Sequence, residues 1–237
     1  IEPELLTFYR FLLGAVILGS YLISRKKLSS DLLFKPWRYL ILGGIYSVYF
    51  VFMFIALRYT STISTAAIFA LMPFATLILD SLIFNKKSQS LVWLALCISS
   101  MGALYIIFDG SLFNALNFRL DFGELVFLIG TIVYSSYALV QPRLNFGENI
   151  LITTFGVLTA GTVILAFSIA VQDLEFTPKN TSIGLVFLII YLAIFASIGT
   201  IVCLNFASSR IPATNVMAYS LLIPFWVLMV ETITKDN

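Results

Sequence analysis

ALRYTSTISTAAIFALMPFATLILD, residues 56 to 80, returns later in the chain as ASSRIPATNVMAYSLLIPFWVLMVE, residues 207 to 231. At an offset of 151 residues the two stretches pair Ala56 with Ala207, Leu71 with Leu222, Pro73 with Pro224, Phe74 with Phe225, Leu77 with Leu228 and Asp80 with Glu231. Each leads into an apolar run of membrane length, near Thr62–Phe84 and Ala213–Thr234, that has the proline near its middle. Duplicated halves that carry helix breakers at corresponding points are a sequence mark of secondary transporters.

The rest of the chain agrees with a membrane location. Hydrophobic residues make up 60% of it and charged residues 11%, and the mean hydropathy is +1.00. A soluble core does not need so much apolar sequence. A hydrocarbon layer of about 30 Å takes roughly 20 helical residues. On that measure the chain holds about eight spans, near Leu5–Ser24, Tyr39–Leu57, Thr62–Phe84, Leu91–Phe108, Gly123–Val140, Ile150–Val171, Ile183–Ala207 and Ala213–Thr234. The runs lack the alternation of a membrane β-barrel, and a helix satisfies its own backbone groups in lipid. The expected fold is therefore an all-α polytopic bundle with short connections. Because it opens on Ile1 and stops soon after an apolar run, the chain reads as part of a longer one.

Loop cations orient the spans. With the first span running from outside to inside, the inner loops hold Arg25, Lys26, Lys27, Lys35, Arg38, Lys86, Lys87, Arg143 and Arg210. The outer loops hold Arg58, Arg119, Lys179 and Lys235. The net charge of +2 thus reflects topology and does not point to a nucleic-acid partner. Cys97 and Cys203 fall in separate apolar spans and are expected as packing residues. The chain has no histidine, which removes His-based zinc sites, Ser-His triads and His proton relays. No P-loop, dinucleotide fingerprint or HExxH is present, so no cofactor, metal or ATP-driven chemistry is expected.

Four stretches together resemble a known family: Pro3 to Arg10 (PELLTFYR), Ala56 to Pro73, Gly123 to Arg143 (GELVFLIGTIVYSSYALVQPR) and Ala207 to Pro224. In order and spacing they resemble EamA-like members of the drug/metabolite transporter superfamily. The resemblance implies ten helices in two five-helix repeats, here residues 1–108 and 109–237, with both termini cytoplasmic and a substrate pathway between the halves. An odd number of spans per repeat makes the repeat inverted, in agreement with the loop charges. The visible spans would be the second to the ninth of ten. The family often places a glutamate thirteen residues beyond the proline; this chain has Lys86 and Asn237 there, so that glutamate's role is not carried over.

Several residues are candidates for the chemistry. Arg10, two turns inside the first span, matches the arginine of the family's opening motif. Insertion scales put a cation in hydrocarbon at about 2.5–3.5 kcal/mol, so it needs a partner. That partner is either an anionic group such as a substrate carboxylate, or Glu2, Glu4, backbone carbonyls and the interface. Asp80 and Glu231 lie seven residues, two helical turns, after their prolines. They could carry coupling protons or a cationic substrate; the alternative is two interfacial acids near opposite membrane faces. Pro73 and Pro224 remove a backbone donor in mid-span and are candidate hinges. Tyr46 and Tyr49, Phe69, Tyr134, Tyr219 and Trp226 are candidates to line a substrate site, although aromatic stripes in bundles more often serve packing.

The function expected from the resemblance is secondary active transport of small organic metabolites by alternating access, with amino acids or their derivatives favoured. The expected place is a bacterial cytoplasmic (inner) membrane, and the expected partners are a small-molecule substrate, membrane lipid and, as an open option, a second copy of the chain. The competing readings are a non-transporting or truncated membrane protein, and an intramembrane enzyme acting on lipid. An enzyme needs convergent catalytic groups, and Arg10, Asp80 and Glu231 sit at different depths.

Overall fold

The structure, a computed structural model, describes residues 2–26, 35–85, 90–108, 110–111, 113, 116–117, 120–173, 176, 182–223, 225–226 and 229. Regular structure among them is helical throughout: α1 (Pro3–Ser24), α2 (Trp37–Leu57), α3 (Thr62–Phe69), α4 (Met72–Phe84), α5 (Ser90–Ile107), α6 (Phe122–Leu144), α7 (Ile150–Val171), α8 (Ile183–Tyr191), a π-helical segment (Leu192–Gly199), α9 (Thr200–Ser208), α10 (Ala213–Ala218) and a 3-10 turn (Tyr219–Leu222). Six helical stretches are long and apolar enough to cross a membrane: α1, α2, Ser64–Phe84, α6, α7 and Ile183–Ser208. A shorter apolar helix, Ser90–Tyr105, lies within α5. The last expected span begins as α10 and the 3-10 turn, and most of its remainder, Pro224 and Glu231 included, lies outside the described residues.

Two spans are internally broken. Pro73 was expected to kink a continuous helix; instead the helix stops at Ala70 and restarts at Met72, with Pro73 in the first turn of α4. A proline there loses no hydrogen bond, because first-turn amides have no intrahelical partner. The carbonyls at the break are met by hydroxyls. Ser100 Oγ donates to Ala70 O at 3.5 Å, while Thr76 Oγ1 and Ser135 Oγ donate to Met72 O at 3.0 and 3.3 Å. Side-chain hydroxyls let a broken helix survive in lipid in this way. The second interruption, the π-helical segment, gives no sign in the apolar pattern of its span.

The chain divides into two compact units, Ile1–Phe54 with Val140–Arg210, and Ile55–Leu139 with Ile211–Asn237. In the first unit α1 lies on α7. Phe11 meets Gly161, Gly14 meets Leu158 and Gly19 meets Phe155, and Gln172 Nε2 donates to Glu4 at 2.9 Å. Numbers rising along α1 fall along α7, so the two helices run antiparallel. α2 runs parallel to α7, with Tyr39 at Gly156, Gly43 at Ala160 and Ser47 Oγ donating to Gly161 O at 3.3 Å. Close approach matters here. A Cβ on Gly161 would stand 2.9 Å from the Phe11 ring, and one on Gly43 2.7 Å from Ala160 Cβ. Helices in lipid associate through such small-residue contacts, since apolar burial alone does not distinguish protein from acyl chain. In the second unit α3 packs on α5, and α4 on α10.

Arg38 departs from the expectation of a loop cation. It sits in the first turn of α2, 2% exposed, with Nη2 2.5 Å from Glu148 Oε1 and Nη1 donating to Leu144 O at 3.0 Å. Tyr39 donates its hydroxyl to the other carboxylate oxygen at 2.6 Å. A buried charge needs a partner of this kind. Cys97 and Cys203, expected as packing residues, are free thiols on exposed faces.

Candidate functional site

α1 carries Arg10 into the first unit on the helix face next to Phe11. Its guanidinium carbon stands 4.5 Å from the ring centroid of Phe50 and 5.4 Å from that of Phe11. Tyr46 closes the nest, 5.4 Å from Phe50 and 5.7 Å from Phe11, and the Tyr49 ring lies 5.3 Å from Phe50. Both tyrosines are near enough to Arg10 to interact with it electrostatically. The spacing along α2 explains the arrangement: residues 46, 49, 50 and 53 recur at helical intervals and turn to one side. Cation and ring faces attract, which holds the guanidinium in a low-polarity site without neutralising it.

Arg10 has no ion pair among the described residues, and its Nε is buried without a hydrogen-bond partner there. Neither Glu2 nor Glu4 forms an ion pair with it among the described residues; Glu4 is buried and accepts a hydrogen bond from Gln172 Nε2. An arginine offers five donors in a fixed fork. Here those donors are presented among aromatic rings with no carboxylate on them among the described residues, an arrangement suited to an anionic group of a ligand.

The second unit gathers another set. At the helix break Phe69 stacks on Tyr134, with centroids 6.4 Å apart and planes at 23°, and it approaches Phe127 at the same distance. Tyr219 lies in the 3-10 turn and is 66% exposed, and Trp226, 53% exposed, packs edge-on against Phe225 at 5.4 Å. The expected site residues thus fall into two groups: Arg10, Tyr46 and Tyr49 in one unit, and Phe69, Tyr134, Tyr219 and Trp226 in the other. Asp80 is half-buried on α4 and interacts with its surroundings. No group of three or more His, Cys, Asp or Glu side chains able to hold a metal occurs among the described residues.

Two polar assemblies were not anticipated from the sequence. One is the Arg38–Glu148–Tyr39 cluster. In the other, Glu124 in the first turn of α6 is 6% exposed and accepts a hydrogen bond from Thr60 Oγ1. A glutamate at the third position of a helix is a capping signature, so Asp121 to Glu124 carried the signal. For Arg38 no local signal existed, because Glu148 is far away in the chain.

Residues 1–108 match the EamA-like transporter family. Over 233 residues, 97% of this chain and 76% of the relative, the sequence is 25% identical to a Bacillus subtilis (strain 168) protein named uncharacterized transporter YyaM. A solved crystal structure superposes with a TM-score of 0.79 at 15% identity, over 100% of this chain and 80% of that one. At that identity the likeness shows a shared fold. The match of residues 1–108 shows the resemblance to the EamA-like transporter family, and it contains two of the four stretches that carry it, Pro3–Arg10 and Ala56–Pro73.

Proposed function

We propose that the protein is a secondary active transporter that moves small organic metabolites, amino acids or their derivatives being the favoured class, across a bacterial cytoplasmic (inner) membrane by alternating access. The family match and the similarity to a curated transporter support transport over catalysis. The observation that carries the reading further is Arg10, a cation within a membrane span, held by aromatic faces and without a carboxylate partner among the described residues. Placing it there is unfavourable by about 2.5–3.5 kcal/mol on insertion scales. A substrate that supplies an anionic group recovers that cost each time it binds. Tyr46 and Tyr49 then offer hydroxyls and ring faces to the same molecule. The break beside Pro73 supports a hinge role, and Phe69 and Tyr134 next to it are proposed as contacts to substrate. Pro224, as the second hinge, and Asp80 and Glu231, as coupling acids, are proposed from the repeat alone.

The test is counterflow in proteoliposomes with a panel of radiolabelled amino acids and other small carboxylates. Wild-type protein is expected to accumulate at least one of them. Arg10→Ala is expected to lower that flux at least tenfold while its thermal unfolding in detergent changes little. Undiminished flux by a folded Arg10→Ala protein removes Arg10 from the site, and wild-type protein inert toward every compound argues against the proposed substrate class.

A further inference from the structure

The span Ile183–Ser208 is α-helical at both ends and π-helical across the eight residues Leu192–Gly199. The amide of Thr200 reaches back to the carbonyl of Phe195, five residues earlier, and the Thr200 hydroxyl donates to the same carbonyl at 3.3 Å. Segments of this kind are rare, occur mostly as single turns, and concentrate at functional positions. This one is set against α1. A Cβ on Gly14 would stand 3.5 Å from Ile198 and 3.7 Å from the Ala193 carbonyl oxygen. Gly14 is one helical turn from Arg10.

A second observation is independent of the backbone pattern. Ser197, fully buried within the π-helical segment, has a hydroxyl with no hydrogen-bond partner among the described residues. The same holds for Ser208 at the end of α9, 5% exposed, and for Thr153 on α7, 2% exposed. α9 packs against α7, with Asn205 Nδ2 donating to Thr154 Oγ1 at 3.2 Å. Buried hydroxyls ordinarily find partners. Two of these three belong to the π-helical segment and the helix that continues it, and the third to the helix on which α9 packs.

We infer that the π-helical segment is a register switch. Conversion of Leu192–Gly199 to α-helical pairing absorbs the extra residue, turns α9 by about 100° and moves it by about 1.5 Å along its axis. The register seen here holds Asn205 on Thr154 and leaves the hydroxyls of Ser197 and Ser208 without a partner among the described residues. The other register releases Asn205 and carries both serines to new positions, and it gives Ser197 the α-helical carbonyl four residues back, that of Ala193. Gly14 leaves the room against α1 in which the segment repacks.

Hydrogen exchange of the purified protein in nanodiscs reads the switch without a substrate, so its failure and a failure of the transport reading are separate results. Amides of residues 193–200 are expected to exchange at least tenfold faster than those in the middle of α7. Deleting Ile194, which is 41% exposed, removes the extra residue while both flanks keep their register, and is expected to slow exchange in the segment at least tenfold. Ser197→Ala is expected to unfold at the same or a higher temperature and to slow the same amides. The switch is overturned if the wild-type segment exchanges as slowly as α7, or if a folded Ile194 deletion exchanges unchanged. Should the deletion fail to fold, Ser197→Ala decides: a lower melting temperature or faster exchange shows that the hydroxyl is satisfied in this register, and the switch is lost.

Discussion

Arg10 and Arg38 are both withdrawn from solvent, yet their surroundings give them opposite roles. Arg38 has a carboxylate 2.5 Å away, a carbonyl on its other nitrogen and the Phe146 ring 4.9 Å from its guanidinium carbon, so its charge is fully engaged within the protein. Among the described residues Arg10 has aromatic rings and no carboxylate. Removing one member of a buried ion pair strands the other, at about 3–5 kcal/mol. Arg38→Ala is therefore expected to lower the thermal unfolding midpoint in detergent markedly, whereas Arg10→Ala is not. Replacing both partners, Arg38→Met with Glu148→Leu, is expected to melt well above Arg38→Ala, because no charge is left buried. A double variant no more stable than the single one would show that the pair is not what joins the start of α2 to the segment before α7. The sequence could mark Arg10, because a cation inside an apolar run stands out. It could not distinguish Arg38 from a loop cation, since burial there depends on Glu148, more than a hundred positions later.

Among the elements, the helices were legible wherever local composition decides the outcome: α1, α2, α6 and α7 lie within a few residues of the expected spans. The interruptions were not legible to the same degree. Pro73 announced a disturbance, but not that Ser100 and Ser135 would meet the carbonyls around it, because those serines come from other helices. Removing one such bond is expected to be mild. Double-mutant cycles in membrane helices average about 0.6 kcal/mol per hydrogen bond, so Ser135→Ala should shift the midpoint only slightly, and a large drop would mean that the break depends on this hydroxyl alone. Tight packing should be less forgiving. Gly161→Ala places a methyl 2.9 Å from the Phe11 ring and 3.0 Å from Ser47 Oγ, and overpacking of this sort costs about 1–3 kcal/mol. Phe11→Leu is expected to restore part of the loss, and no recovery would place the strain elsewhere. The π-helical segment had no signature in the sequence, since an extra residue in an apolar helix leaves its composition unchanged.

At the scale of the whole chain, the two compact units do not coincide with the two sequence halves. Each takes residues from both sides of position 108. The repeat offset nevertheless respects them: it carries α1 onto α7 and α2 onto the span ending at Ser208, all essentially within the first unit, and it carries α3 and α4 onto the segment from Ala213 in the second. α1 and α7 run antiparallel, the course that the proposed inverted repeat requires. At an offset of 151, Arg10 corresponds to Gly161 and Phe11 to Thr162, and Phe11 packs on Gly161. In the proposed inverted repeat α1 and α7 would be the two copies, and a two-fold axis in the membrane plane would bring them together at nearly equivalent positions. On the proposed topology, Glu2 and Gln172 face the outside, while Arg25 and Asn145 face the inside. Single cysteines at these four positions, in a Cys97→Ser, Cys203→Ser background, can be challenged in intact cells with a membrane-impermeant maleimide. The outer pair should be labelled before lysis and the inner pair only after it. Labelling of Glu2→Cys and Arg25→Cys from the same side would deny that α1 spans the membrane. Labelling of Glu2→Cys and Gln172→Cys from opposite sides would break the antiparallel pairing on which the inverted reading depends.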